Sequence, residues 1–476
     1  MTLDWQAIQD PMMATIPYVV FVIIAVGVIQ NLFYLFQLVV AWWTLHRQPS
    51  ILESAEAWWK LSDAALPIAI LAPAYNEEVT IVDSVRSLLA LHYPNFQVIV
   101  INDGSADRTL DELQGAFELE PADVAFDEAV PHQPIRGIFK SAVQPRLLVV
   151  DKENGGKADA LNAGINVARA PLFCAVDADS LLEADSLIRV VEAFMEDTDR
   201  VKAVGGTIRL VNGCKVQSGR VMSIGLPHNP VAMFQIIEYL RAFLMGRLAW
   251  SALGAVMLIS GAFGIFRRSA AVAVGGYSHG TVGEDMEIIV KMHRYFREEN
   301  MDYEIRFIPE PVCWTEAPES LKVLGRQRKR WQRGALETFF KHIRMLGNPR
   351  YGIAGTVGFV HVLITDVIAP VVEVLGYFLM PVFWLTGTLS LDFFLAYLAL
   401  AFNFGVFISV GSLILEEMEL KRFPTPKDLA LLMVAAVLEN FGYRQLNNIW
   451  RIMGWWQFLR GEKGWGRMTR IGFQKS

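Results

Sequence analysis

Two acids, Asp177 and Asp179, stand one residue apart directly after the apolar run Leu172–Val176. At the carboxyl end of a strand such a pair can reach one divalent cation. Hard oxygen ligands suit Mg²⁺ or Mn²⁺, which keeps water and substrate phosphates in its shell. Pro73-Ala74-Tyr75-Asn76-Glu77-Glu78 closes another apolar run and opens a helical pattern, and Asn102-Asp103-Gly104-Ser105 does the same after a third. Each puts a carboxylate and backbone donors at a strand end, although Asp103 before a glycine is equally a turn residue. Gly155-Gly156-Lys157 joins a glycine turn to a helix start, where backbone amides, the helix dipole and the lysine favour an anion. The spacing is not that of a P-loop. Glu284-Asp285 opens the helical pattern Met286–Phe296 after a glycine-rich stretch. An acid so placed can take a proton from a sugar hydroxyl, cap the helix, or do both. Gln327-Arg328-Lys329-Arg330-Trp331 supplies an amide, cations and an indole. Arginine can grip a diphosphate bidentately, and tryptophan can stack on the apolar face of a sugar.

These groups need a scaffold that gathers strand ends. From Leu66 to about Pro311, apolar runs at Ile68–Ala72, Val98–Ile101, Arg146–Val150, Leu172–Val176 and Val201–Val204 alternate with amphipathic stretches such as Val79–Leu91 and Lys157–Ala168. This alternation predicts an α/β domain with a doubly wound, mostly parallel sheet, which binds ligands at the carboxyl ends of its strands. Glu118–Val143, with Pro121, Pro131 and Pro134 and no clean period, reads as a loop insertion.

Composition adds a membrane part. The 476-residue chain is 53% hydrophobic and only 19% charged, against roughly 45–50% and 25% in soluble domains. Ile16–Trp43 carries no charge and is long enough for a transmembrane helix, with Trp42 and Trp43 at the interface. It lacks the basic start and cleavage site of a signal peptide and reads as an uncleaved anchor. Arg47, just after it, places the following domain inside by the positive-inside rule. Further spans are expected in Ile353–Leu389, apolar but for Asp366 and Glu373, and in Phe393–Leu415. Leu429–Leu459 must then return to its own side as a hairpin, a re-entrant segment or an interfacial helix, leaving a basic tail inside. Asp366 and Glu373 share a helix face, and carboxylates at that depth line a polar path or pair with a cation. Before the spans, Arg326, Arg328, Lys329, Arg330, Arg333, Lys341, Arg344 and Arg350 face one acid, Glu337, among apolar residues at helical spacing. That pattern reads as a basic amphipathic helix on the inner membrane surface. The expected units are residues 1–47 (anchor), 48–325 (α/β domain), 326–350 (basic helix), 351–459 (membrane helices) and 460–476 (tail). A net charge of −6 argues against a nucleic-acid-coating role, and three dispersed cysteines argue against a zinc site or disulfide framework.

Taken in order, the motifs Pro-Ala-Tyr-Asn-Glu-Glu, Asn-Asp-Gly-Ser, Gly-Lys-Ala-Asp-Ala-Leu-Asn, Asp-Ala-Asp, Ser260-Gly261-Ala262-Phe263, Gly-Glu-Asp and Gln-Arg-Lys-Arg-Trp resemble those of the membrane-bound inverting glycosyltransferases of family 2. The likeness is greatest to the poly-N-acetylglucosamine, chitin-oligosaccharide, hyaluronan and cellulose synthases. It covers about residues 67–345, and QxxRW is its most specific element. It implies a GT-A catalytic domain on the cytoplasmic face of a bacterial-type inner membrane, joined to an α-helical transmembrane region. The implied donor is a UDP-sugar, UDP-N-acetylglucosamine or UDP-glucose, with inversion to a β-linkage. Carried over residue by residue, Tyr75, Glu77, Asp103, Lys157 and Asp177 would hold the nucleotide-sugar, with Gln327 and Arg330 on its diphosphate. Asp177 and Asp179 would bind Mg²⁺ or Mn²⁺. Asp285, with Glu284 beside it, would be the base, and Trp331 would floor the acceptor site. Gly-Glu-Asp departs from the Thr-Glu-Asp of many members, and no PilZ-type cyclic-di-GMP module follows. The implied partners are the UDP-sugar, a growing polysaccharide or lipid acceptor, and membrane lipids, without nucleic acid. The leading expectation is a processive synthase that also translocates its product; the alternative adds one sugar to a membrane lipid.

Overall fold

The computed structural model describes residues 5–47, 65–420 and 425–462, apart from Asp179, Thr198 and Ser218. The five apolar runs become strands β1 (Ile68–Ala74), β2 (Phe96–Asp103), β5 (Leu147–Lys152), β6 (Leu172–Val176) and β8 (Val201–Leu210). The first four are buried almost throughout and pair in parallel. This is why they read as unbroken apolar runs and not as alternating ones. In register, Ala74 lies opposite Asn102, and Asp103 opposite Lys152. The loops after β1, β2, β5 and β6 therefore leave the sheet at one edge.

The full sheet runs β3-β4-β5-β2-β1-β6-β11-β8-β12-β7, and a small ribbon of β9 (Lys215–Gln217) and β10 (Arg220–Ser223) lies outside it. Two parts of it depart from the sequence expectation. Glu118–Val143 is not all loop: β3 (Leu119–Pro121) and β4 (Ile135–Ser141) form an antiparallel margin on β5. A half-exposed edge carries no strong apolar run, and it tolerates Pro121 because no further strand needs its missing N–H. On the other side, β11 (Phe263–Arg267) runs antiparallel between β6 and β8, and β12 (Glu304–Thr315) extends the sheet to β7 (Leu181–Leu182).

Three helices are long and apolar enough to cross a membrane: Thr15–Leu45, Ala354–Leu385 and Leu391–Met418, of 31, 32 and 28 residues. Each exceeds the ~20 residues that span about 30 Å of hydrocarbon. The chain then forms two helices, Pro426–Leu438 and Tyr443–Leu459, broken at Gly442, whose φ of +93° suits glycine. The first packs on Leu391–Leu420 and on Pro230–Tyr239; the second packs on Leu321–Lys341 and on Ala369–Leu385. Residues 463–476, which hold most of the basic tail, lie outside the described residues.

The basic helix needs a correction. It spans Leu321–Lys341, and Arg328 and Arg333 are buried within the protein, not arrayed on a membrane surface. Arg333 meets Glu337 of the same helix at 3.5 Å, whereas other cations of the helix find acids elsewhere in the chain. Arg328 pairs with Glu238 at 2.6 Å, and Lys341 pairs with Glu287 at 2.7 Å. A buried cation is tolerable only with such a partner.

Candidate functional site

The sheet edge opens into one cavity of about 2080 Å³. Tyr75, Glu77, Asp103, Lys157, Asp177, Glu284, Asp285, Gln327, Arg330 and Trp331 all line it, so every described candidate residue meets there. Asp179 lies outside the described residues.

At its centre the Lys157 ammonium lies 2.5 Å from Asp177 Oδ1 and 3.5 Å from Glu284 Oε1, and donates to the Gly261 carbonyl at 3.2 Å. Burial disfavours its charge, but Asp177 and Glu284 outweigh burial and hold its pKa above the ordinary lysine value. Glu284 feels the opposite balance. Burial, only partly offset by Lys157, pushes its pKa up to about 7. Asp285 is fixed by two backbone donors, Gly261 N to Oδ2 at 3.1 Å and Met286 N to Oδ1 at 2.9 Å. Gly261 thus touches both the lysine and the base. A Cβ there would lie 2.7 Å from Lys157 Nζ and 3.6 Å from Asp285 Oδ2, so a side chain at 261 would push the lysine ammonium aside.

The glycine turn before Lys157 already holds an anion of its own. Gly155 N and Gly156 N donate to the Asp103 carboxylate at 3.0 and 2.7 Å. The expectation that these amides bind an outside anion is therefore corrected. Asp103 is buried, and the wholly buried Lys152 bridges it to Asp159 at 2.7 and 2.5 Å. This network shapes the turn from which Lys157 projects.

On the facing wall, Gln327 Oε1 is buried without a hydrogen-bond partner among the described residues. Trp331 stays 43% exposed, with the Arg328 guanidinium 4.2 Å from its ring centre. An open indole edge beside an unsatisfied amide is the usual lining of a sugar site, which pairs apolar surface with a few placed polar groups. Asp177 presents a hard carboxylate that is a third exposed to the cavity. It fits a divalent cation whose remaining shell is water and phosphate.

Away from the sheet the cavity continues between the membrane helices, where Gln30, Asn31, Tyr34 and Gln37 of the first span line it. Asp366 and Glu373 line it too, and each meets a cation. Arg451 Nη2 lies 2.8 Å from Asp366, and Arg444 Nη2 lies 3.8 Å from Glu373. Both acids thus line the cavity and pair with a cation. The Glu238–Arg328 pair and the Arg241–Glu439 pair complete the charged lining. Two π-helical stretches, Leu240–Arg247 and Leu363–Ile368, carry several of these residues. Such bulges often re-aim side chains at functional sites.

Family comparisons agree with this geometry. A model described as glycosyl transferase family 2 matches residues 69–126, and one described as glycosyl transferase family group 2 matches residues 172–408. The chain belongs to glycosyltransferase family 2. Among curated relatives, the poly-beta-1,6-N-acetyl-D-glucosamine synthase of Staphylococcus epidermidis is 31% identical over 275 residues, covering 58% of this chain and 56% of the relative. That of Staphylococcus aureus strain COL is 32% identical over 291 residues, covering 60% and 59%. The chain thus spans a little over half the length of these relatives. Among solved structures, a mannosyltransferase from Pyrobaculum calidifontis in complex with GDP-Man and Mn²⁺ superposes with a TM-score of 0.51 at 18% identity, covering 92% of this chain and 99% of that one. This likeness shows a shared GT-A fold.

Sequence reasoning missed several members of the family 2 site. Arg247 lines the cavity with one terminal nitrogen buried and without a hydrogen-bond partner among the described residues. Burial lowers its pKa to about 10, against the pull of Asp285 and Tyr239. A lone arginine in an apolar helix gives no spacing signal. Arg444 and Arg451 were equally invisible, because the acids they meet are distant in sequence.

Proposed function

We propose that this chain is a UDP-sugar-dependent inverting glycosyltransferase that extends a β-linked N-acetylglucosamine polysaccharide and passes it between its own membrane helices. The observation that carries the reading is the single cavity joining Lys157, Asp177 and Asp285 to Gln30, Asn31, Asp366 and Glu373. A transferase with a freely diffusing product has no use for a polar cavity continued among apolar helices. The relatives named above support N-acetylglucosamine as the unit.

In this reading Asp285, held by two amides with its carboxylate at the cavity, accepts the proton of the acceptor hydroxyl. The hydroxyl oxygen bonds to the anomeric carbon on the face opposite the diphosphate, and the bond from that carbon to the phosphate oxygen breaks. The configuration therefore inverts. Lys157, Gln327 and Arg330 hold the diphosphate as its charge grows. Tyr75 and Glu77 lie where the uridine would rest, and Trp331 carries the acceptor's terminal sugar. A divalent cation held through Asp177, with Asp179 as its second acid, supplies further positive charge to the leaving group when bound. Glu284, whose pKa burial raises to about 7, carries only part of its charge at neutral pH and so limits the negative charge packed around Asp285.

The test uses inverted membrane vesicles with Mg²⁺, labelled UDP-N-acetylglucosamine or UDP-glucose, and the wild type beside Asp285→Asn. A long polymer from UDP-N-acetylglucosamine, reduced by about 10²–10⁴-fold in the variant, is expected. Label confined to a solvent-extractable lipid would replace the synthase by a single-addition glycolipid transferase.

A further inference from the structure

Glu337 is the one acid among the cations of the Leu321–Lys341 helix, and no step above uses it. Its Oε1 meets the buried Arg333 Nε of the same helix at 3.5 Å, while its other oxygen reaches out of that helix to the turn that carries Asp285. Oε2 accepts from Thr281 Oγ1 at 2.9 Å and from Val282 N at 2.9 Å. Thr281 Oγ1 in turn accepts from Gly283 N at 3.2 Å, the residue directly before Glu284 and Asp285. One turn back along the helix, Gly334 meets Gly283 backbone to backbone. A Cβ built on Gly334 would lie 2.8 Å from Gly283 Cα and N, and one on Gly283 would lie 2.9 Å from Gly334 Cα. The departure from Thr-Glu-Asp thus has a steric cause, since this crossing leaves no room for a side chain at 283.

Gln327, Trp331, Gly334 and Glu337 recur at four-, three- and three-residue steps, so they share one helix face. That face runs from the acceptor platform to the base-bearing turn. A second tie lies just beyond it, where Glu287, in the first turn of the Glu284–Glu298 helix, meets Lys341 at 2.7 Å and His342 at 3.1 Å. The helix of Trp331 and the turn of Asp285 are therefore joined by backbone contact and by two carboxylates, of which Glu337 is the one that holds the turn itself.

We propose that Glu337 is a positioning residue that locks the Thr281–Asp285 turn to the helix of Gln327, Arg330 and Trp331, so that the base and the acceptor platform act as one body. This rests on the proposed glycosyl transfer, in which Asp285 must meet a hydroxyl presented on Trp331. The donor is gripped from both sides of the lock, by Lys157 and Asp177 on the sheet side and by Gln327 and Arg330 on the helix, so loosening the lock should disturb the approach of the base more than the binding of the nucleotide.

The experiment compares full-length wild type with Glu337→Ala, Glu337→Gln and Thr281→Val in detergent, measuring kcat, the KM for UDP-N-acetylglucosamine, UDP affinity and thermal unfolding. Glu337→Ala is expected to lower kcat by about 10–100-fold, the scale of a sub-ångström to 1 Å misplacement, with UDP affinity lowered by less than the fall in kcat. Glu337→Gln keeps a carbonyl acceptor for Val282 N and should recover most of the rate. Thr281→Val removes one of the two donors and should fall between them. Wild-type kcat in Glu337→Ala with UDP binding intact would overturn the proposal. So would a joint loss of kcat, UDP affinity and fold that Gln fails to rescue, because that marks a purely structural role. Wild-type turnover of the labelled donor tests the glycosyltransferase reading separately, since the lock is judged only by the ratio of variant to wild type.

Discussion

Gly334→Ala separates two effects of opposite sign. In a helix interior the change gains about 1 kcal/mol of intrinsic propensity. Against it stands the crossing with Gly283. The new methyl would sit 2.8 Å from Gly283 Cα and N and 3.2 Å from Val282 C, where ordinary contact begins at 3.4 Å. All three atoms are backbone, so no side chain can turn away. The helix and the turn must separate by about 0.6 Å, the shortfall between those distances. Overpacking of this kind costs about 1–3 kcal/mol. The clash therefore wins by about 1 kcal/mol of net destabilisation. The same displacement carries Asp285 away from Trp331, and about tenfold in kcat should follow. Gly115→Ala is the matched control. Gly115 lies in the exposed part of the helix Thr109–Phe117, and a Cβ there meets nothing within 4 Å, so the full propensity gain should appear. The assay is thermal unfolding in detergent followed by tryptophan fluorescence, with initial rates of UDP release alongside. If Gly334→Ala is stabilised as much as Gly115→Ala and turns over at the wild-type rate, the backbone crossing does not constrain the base.

Two further outcomes are expected. Arg451→Ala should destabilise the protein by about 2 kcal/mol, at the low end for a broken buried pair because Asp366 is 36% exposed to the cavity; the double change Asp366→Asn with Arg451→Gln should recover most of it in the same unfolding assay. Glu287 is held at a pKa of about 2 because its bonds to His342, Lys291 and Lys341 outweigh the opposing effect of burial. Its folded pKa lies below the ordinary 4.5, so its stabilisation is complete above that pH and is lost as pH falls from 4.5 toward 2, by on the order of 3 kcal/mol. Glu287→Gln should flatten that part of the acid-unfolding profile.

What the sequence made legible follows from locality. The parallel strands announce themselves because both faces are buried, and the motifs that follow them are placed by strand ends alone. β12 escaped notice because Glu304, Arg306 and Glu310 interrupt its apolar residues, and only the fold explains them: Arg306 pairs with Glu196 and Glu304. The basic helix looked like a membrane-surface element because the acid that neutralises Arg328 stands 90 residues away. Glu337 had the same difficulty in reverse. Its local partner, Arg333 one turn away, is the kind a sequence shows, but the hydroxyl and amide that it also holds belong to a separate loop. The spans were visible from length and apolarity, and Asp366 and Glu373 were visible as anomalies, but their cations lie on a helix without a span's signature.

That last arrangement bears on how the protein is made. Synthesis proceeds from the amino end, so the helix carrying Asp366 and Glu373 leaves the ribosome well before Arg444 and Arg451 exist. During that interval its two carboxylates lack their cations, which is costly for an apolar helix long enough to span a membrane. Only when Tyr443–Leu459 arrives do the acids gain their cations, and the same helix then closes against the QxxRW helix. Tyr443–Leu459 therefore completes both the lining of the cavity and the contact with the QxxRW helix, and it is translated only after every acid that it neutralises.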